Sequence, residues 1–271
     1  MLLTDCDLIC FDFETTGVSA MTDRIIDIGA VRFTTDHLDI DTYSQLVNPL
    51  RPIGVAASQV HGLYDHDVYD APTLDNVLPQ FLQFLQGAEV LIAHNAGFDR
   101  SFLAAACVFA GASPPGTPTI CTLPLTRKAW PEFENYRLET IGVNLGLIER
   151  EDHRGLSDSL LLTDVFRLAV EKLQIKTKEE LYAIAKPHLI KDNKFKAGTA
   201  PQGFELFERA IKEKKDMAIQ YGDYARSFRT ITPEQIFENG NRTYLLANCH
   251  RDGFTKQFRF DRIHEFHLLT H

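Results

Sequence analysis

The chain has 271 residues, 44% hydrophobic and 24% charged, which suits a globular protein of one or two domains and excludes wholesale disorder. Its net charge of −9, taken as an average, argues against a nucleic-acid partner. The average conceals a split: residues 1–171 carry 10 basic and 24 acidic side chains, residues 172–271 carry 18 and 13, so a part of −14 is joined to a part of +5.

In chain order, Leu8 to Glu14 is a short apolar run interrupted by acids and broken by Thr15-Thr16-Gly17. Ile25–Phe33 and Tyr43–Val47 read as two further strands of a meander. Thr73–Gln86 places Leu74, Val77, Leu78, Phe81, Leu82 and Leu85 at helical spacing, stopped by Gly87. Val90–Ala93 is a buried strand, Phe98–Ala110 a helix ending at Gly111, and Ser113–Pro118 a loop before a short strand at Thr119–Thr122. Helices follow at Leu138–Leu145 and Ser157–Leu173, and strands alternating with helices predict an α/β sheet sandwich. Thr177 and Glu180 have capping-box spacing ahead of a short helix ending near Pro187. Lys191–Gly203 reads as a linker and Phe204–Lys215 as a basic helix. Short strands at Met217–Tyr221, Arg226–Ile231, Thr243–Cys249 and Phe258–Ile263, with turns at Asn239-Gly240-Asn241 and Asp252-Gly253, predict a small barrel or sandwich. The expected division is 1–173, a helical and basic linker 174–203, and 204–271.

The five cysteines include no CxxC pair, which fits buried thiols in a reducing compartment. No basic segment precedes an apolar stretch at the N-terminus, and no apolar run reaches the roughly 18 residues of a membrane span. The expectation is a cytoplasmic protein without a membrane partner.

Asp12 and Glu14, two apart on a strand, point to one face. Two acids on an apolar strand are costly unless compensated, and oxygen ligands favour Mg²⁺ or Mn²⁺. The alternative is a strand end hydrogen-bonded to a turn. Asp99 follows His94-Asn95-Ala96-Gly97-Phe98, where a strand turns into a helix; it is either a helix N-terminal acid or a site acid near the first strand. His153 and Asp158 form an H-x4-D pair that begins in the polar stretch Glu149–Arg154.

Together these motifs, Phe-Asp12-Phe-Glu14-Thr-Thr-Gly, His94-Asn-Ala-Gly-Phe-Asp99 and His153-Arg-Gly-Leu-Ser-Asp158, resemble in content and order the DEDD family of 3′–5′ exonucleases, in its histidine-bearing, proofreading-exonuclease-like subtype. The stretches Val60-His61-Gly62-Leu63 and Cys121-Thr122-Leu123 with Arg127 and Pro131 are family-like as well, and the resemblance covers about residues 5–171. It implies a ribonuclease-H-like mixed sheet with flanking helices and two divalent cations, Mg or Mn. By the same resemblance Asp12, Glu14, Asp99 and Asp158 would ligate the metals and His153 would be the general base. Thr15 either packs on the terminal nucleotide or ends the strand; Asn95 either binds substrate or braces the Asp99 loop. His61 either approaches the nucleotide or faces solvent, and His94 is read as structural.

In the basic part, His250, His264, His267 and His271 lack acid or cysteine partners at zinc spacing and read as a surface tail. Lys212, Lys214 and Lys215 read as a solvated helix face. The order of strands and basic residues over about 203–266 resembles a WYL domain, a small SH3-like β-barrel. Tyr244 and Leu245 fit that pattern, whereas Thr243 stands where its tryptophan would be. The resemblance implies a nucleic-acid-binding or sensing module, with Arg229, Tyr244, Arg259 and Arg262 as candidate contacts. The competing reading pairs Arg262 with Asp261 or a neighbouring strand and puts Phe258 and Phe260 in a core.

The combined expectation is a metal-dependent 3′–5′ exonuclease that releases 5′-monophosphates from single-stranded or short DNA, with a nucleic acid bearing a free 3′ end as partner and a polymerase or repair protein as a further one. The rivals are an exoribonuclease, or an oligonucleotide-sensing regulator on a nuclease-like scaffold.

Overall fold

The computed structural model describes residues 1–36, 40–150, 153–192, 195–222 and 227–269. By internal contacts it divides into two units, the first made of Met1–Val18, Asp23–Ala106 and Pro114–Asp192, the second of Ser19–Thr22, Cys107–Ser113 and Asn193–His271.

The first unit is built on a five-stranded mixed sheet of β1 (Leu8–Thr15), β2 (Ile25–Phe33), β3 (Ile40–Leu46), β4 (Val90–Ala93) and β5 (Thr119–Cys121), ordered β3-β2-β1-β4-β5. The β1–β2 and β2–β3 pairs are antiparallel, β1–β4 and β4–β5 parallel. The continuous apolar runs at the centre are the mark of strands covered on both faces. The helices are α1 (Val55–His61), α2 (Asp65–Val68), α3 (Leu74–Phe84), α4 (Gly97–Phe109), α5 (Leu123–Ala129), α6 (Leu138–Asn144), α7 (Gly155–Lys172) and α8 (Lys178–Ile184). Sequence periodicity had indicated neither α1, α2 nor α5. The capping box of α8 is formed, with the Glu180 amide donating to Thr177 Oγ1 at 3.2 Å and the Thr177 amide to Glu180 Oε2 at 3.1 Å.

Alternation along β1 separates two layers. Phe11 and Phe13 face α3, where their rings meet Phe81 at centroid distances of 6.4 and 5.6 Å. Leu8 and Cys10 face the other way, sharing a core with Val31 and Phe33 of β2 and Leu162, Val165, Phe166 and Ala169 of α7. Along that face the register pairs Leu8 with Phe33, Cys10 with Val31, Asp12 with Gly29 and Glu14 with Asp27. The apolar half of the face thus buries the length of α7, while its acidic end meets the start of that helix.

The second unit has β6 (Phe195–Ala197), α9 (Glu205–Glu213), β7 (Met217–Tyr221), β8 (Arg229–Asn239), β9 (Arg242–Cys249), β10 (Phe254–Arg259) and β11 (Ile263–Leu268). The antiparallel sheet runs β10-β9-β8-β7-β11, and β6, inside the stretch read as a linker, pairs with β8. No β10–β11 pairing closes the barrel among the described residues. β8 is one long strand to the Gly240-Asn241 turn, where a strand ending at Ile231 was expected; a register shift at Pro233–Gln235 lets it pass the proline. The expected start at Arg226 lies outside the described residues. Phe207 and Ala210 of α9 are buried with Phe258, Phe260 and the flanking strands, so both phenylalanines are core.

Candidate active site

The three motifs converge at the carboxyl ends of the adjacent parallel strands β1 and β4, where open α/β sheets assemble sites. Asp12 and Glu14 leave β1 half-buried on the face met by α7. Asp99 enters from the first turn of α4, only 2% exposed, and its Oδ1 accepts the Phe13 amide at 3.3 Å. Burial, then the charge of Asp12, pushes the Asp99 carboxyl well above the usual carboxylate range, against the lowering effect of the Phe13 amide and its own backbone amide.

The third motif arrives on α7. A Cβ on Gly29 would lie 1.8 Å from the Gly155 carbonyl carbon, and one on Gly155 would lie 2.6 Å from the Gly29 nitrogen, so two glycines let the helix start rest directly on β2. Gly29 is also the register partner of Asp12. This contact brings Asp158, one turn into the helix and 5% exposed, to the acidic end of β1. Ligand atoms of Glu14, His153 and Asp158 all lie within 4.8 Å of one another, the one group of three or more metal-capable side chains among the described residues. Asp12 and Asp99 form a second, electrostatically linked pair beside it. His153 sits two residues before α7 with a φ of 50°, in the left-handed region.

Asp27 is a site residue that motif spacing did not reveal. It is 1% exposed, opposite Glu14, and its Oδ2 accepts Arg154 Nε at 2.8 Å and the Gly155 amide at 3.3 Å. The only sequence signal was an acid inside the apolar run Ile25–Phe33.

The remaining residues divide clearly. His61 is buried, 4% exposed, which overturns its solvent-facing reading. Its Nδ1 accepts the Leu63 amide at 3.0 Å, and burial lowers its pKa, opposed by the Thr15 carbonyl. With Asp27, Ser44, Arg154, Leu156 and Ser157 it lines a cavity of about 530 Å³. Thr15 Oγ1 donates to the Gly17 carbonyl at 2.6 Å, so this hydroxyl serves the turn that ends β1. Asn95 is exposed with a φ of 54° in the turn before α4 and accepts the Phe98 amide through its carbonyl at 3.0 Å. His94 is structural as expected: its Nδ1 contacts Thr122 Oγ1 at 2.8 Å and its Nε2 the Tyr136 carbonyl at 2.7 Å.

In the second unit, Arg229 and Arg262 lie over the ring of Tyr221, 5.9 and 5.6 Å from its centroid. The Arg259 amide donates to Tyr221 Oη at 3.2 Å, so three of the expected contacts gather around a tyrosine the motif comparison had passed over. The partner of Asp261 is Arg259, through Nε at 3.0 Å and Nη2 at 2.5 Å, while Arg262 meets Tyr221 of the neighbouring strand β7, the second form of the competing reading. Tyr244 stacks on Phe237 at 5.2 Å and 1° and lines a cavity of about 480 Å³ with Asn239–Arg242. His264 and His267 are exposed, as the surface reading has it, but lie in β11 rather than a tail, His264 Nε2 meeting the Gly222 carbonyl at 3.1 Å and His267 the Phe228 ring at 5.0 Å. His271 lies outside the described residues. No helix among the described residues is long and apolar enough to cross a membrane.

Comparison with known proteins finds matches for both parts of the chain. The exonuclease family model RNase_T matches residues 9–166, and the WYL domain model matches 202–268. The chain is 36% identical over 181 residues to a DNA polymerase III PolC-type of Caldanaerobacter subterraneus subsp. tengcongensis, covering 66% of this chain and 13% of the relative. It is 34% identical over 176 residues to the DNA polymerase III PolC-type of Bacillus subtilis, covering 63% and 12%. The chain thus spans about an eighth of the length of these relatives. Among solved structures it is similar to Exonuclease X in complex with 5′ overhanging duplex DNA, at 27% identity and a TM-score of 0.50, covering 65% of this chain and 98% of that one.

Proposed function

Because the chain belongs to the RNase_T exonuclease family, which accounts for more than half of it, we propose that it is a metal-dependent nuclease removing nucleotides from the 3′ end of single-stranded or short DNA. The observation that carries this reading is the meeting of Glu14, His153 and Asp158 within 4.8 Å beside the Asp12–Asp99 pair.

The donor set fits hard divalent cations. It is rich in carboxylate oxygens, and the raised pKa of Asp99, set first by burial and then by the charge of Asp12, marks a carboxylate whose ionised form the protein's own groups do not compensate. Asp12, Glu14, Asp99 and Asp158 would hold Mg²⁺ or Mn²⁺. When bound, such ions lower the pKa of water and stabilise charge on the phosphoryl oxygens and the leaving oxygen.

The chain's residues then have distinct parts. Water adds to the terminal phosphorus, the bond to the 3′ oxygen of the preceding nucleotide breaks, and a 5′-monophosphate departs. His153 takes the water proton, since an imidazole exchanges protons near neutral pH. His61 flanks the terminal nucleotide, Thr15 holds the Gly17 turn beside it, and Asn95 braces the turn that presents Asp99. The relatives named DNA polymerase III and the neighbour bound to duplex DNA support DNA over RNA, and a polymerase as a partner. The WYL part, residues 204–271, holds the strand through Arg229 and Arg262, with Arg259 and Tyr244 beside them.

Asp12→Ala tests the assignment. It lowers release of mononucleotides from a labelled strand by at least about a thousandfold, a loss of the size expected when a metal-centred site fails. Hydrolysis retained by this variant would overturn the assignment of Asp12 to the site, and a wild-type chain that releases no mononucleotide would favour the regulator reading.

A further inference from the structure

A carboxylate inside an apolar strand is costly to bury, and Asp27 is not satisfied even where it lies: its Oδ1 has no hydrogen-bond partner among the described residues. An ion pair of this kind is weak evidence for stability, because well-packed apolar residues in its place often do as well. What Asp27 does hold is the start of α7. Arg154 is the N-cap residue of that helix and makes no side-chain cap bond of its own. The Gly155 amide is one of the donors every helix start leaves without an internal partner, and Asp27 Oδ2 receives it from a strand 128 residues earlier in the chain. The same oxygen receives Arg154 Nε.

Immediately before this clamp comes His153, whose positive φ is a conformation that a non-glycine residue keeps only where its surroundings impose it. On one side the Gly29–Gly155 contact presses the helix start onto β2; on the other Arg154 is drawn onto Asp27. Between them they set where the preceding residue stands. We propose that Asp27, acting through Arg154, is a positioning residue that holds His153 against Glu14 and Asp158 in the arrangement needed for proton transfer. This rests on the reading of His153 as the base.

The test uses the full chain, a 5′-labelled single-stranded DNA and saturating Mg²⁺. The variants are Asp27→Asn, Arg154→Gln, His153→Ala and each clamp variant combined with His153→Ala. Both clamp variants are expected to lower kcat by about 10- to 100-fold, the scale of a misplaced reacting group, with KM changed less than about threefold. In the His153→Ala background each costs less than about threefold further, because the group being positioned is gone. The proposal is overturned by clamp variants with wild-type kcat, or by a full clamp loss persisting without His153, which would mean a general loosening of the fold. If Asp27→Asn does not fold, Arg154→Gln decides, since that side chain is 42% exposed and the Asp27 carboxylate it leaves behind keeps the Gly155 amide as a partner. His153→Ala alone at the wild-type rate would overturn the base assignment itself. That arm keeps Asp27 and Arg154 intact, so the two failures are distinguishable.

Discussion

Asp99 is the deepest of the four motif acids, and its environment makes an opposite demand with and without a cation. In the metal-free protein, burial and the neighbouring Asp12 favour the neutral carboxyl, so the folded state keeps a proton to a higher pH than the unfolded chain does. A raised folded pKa means that the folded state binds more protons between the two values, and stability falls as pH rises through that window. Asp99→Asn, similar in shape but uncharged, is therefore expected to melt above wild type in EDTA at pH 8. The gap should close towards pH 5, and Mg²⁺ should stabilise the variant less than wild type. Calorimetric melts across pH check this; a gap independent of pH would contradict it. The motif acids were legible because their order and spacing together resemble the DEDD family; strand alternation, a strand-to-helix junction and a helix start, each taken alone, left the structural readings open. Asp27 left only an acid inside an apolar strand, which names no partner, because Arg154 is 127 residues away.

The decisive contact between elements is the crossing of α7 over β2. Apolar spacing revealed both elements, and the two glycines that permit the crossing stood in plain view, yet Gly29 lies mid-strand and Gly155 at the first position of a helix, neither a place where a glycine announces a close crossing. Gly29→Ala puts a methyl into the Gly155 backbone, which cannot yield as a flexible side chain would. It should destabilise the chain by about 1–3 kcal/mol, as overpacking does. It should also lower kcat by about a hundredfold by displacing Asp158 and His153. Urea unfolding and single-turnover rates measure the two losses, and wild-type values for both would mean that the crossing does not position the site. The unpredicted helices α1, α2 and α5 have 7, 4 and 7 residues, too short for a periodic stripe to stand out. The same brevity hid β6, three residues in a stretch whose composition reads as linker.

Across the molecule, the charge split takes on a chemical meaning. Four of the 24 acids in residues 1–171 converge where cations would reverse the local sign, while the +5 part carries the arginine group around Tyr221. Arg229 and Arg262 share the Tyr221 ring, and they are expected to bind phosphate there. Replacing both with Gln should weaken single-strand binding and lower the slope of log K against log salt by about 0.7 for each lost phosphate contact. Fluorescence anisotropy over a salt series measures this, and an unchanged slope would remove the WYL part from strand recruitment. The central claim, metal-dependent removal of nucleotides from a 3′ end, is tested most directly by following matched 5′-labelled DNA and RNA strands on a sequencing gel with Mg²⁺ and with EDTA. The expected result is a ladder shortening from the 3′ end, faster on DNA, absent in EDTA and absent for Asp12→Ala. A ladder undiminished by EDTA, or a 5′ label released at once as mononucleotide, would contradict it.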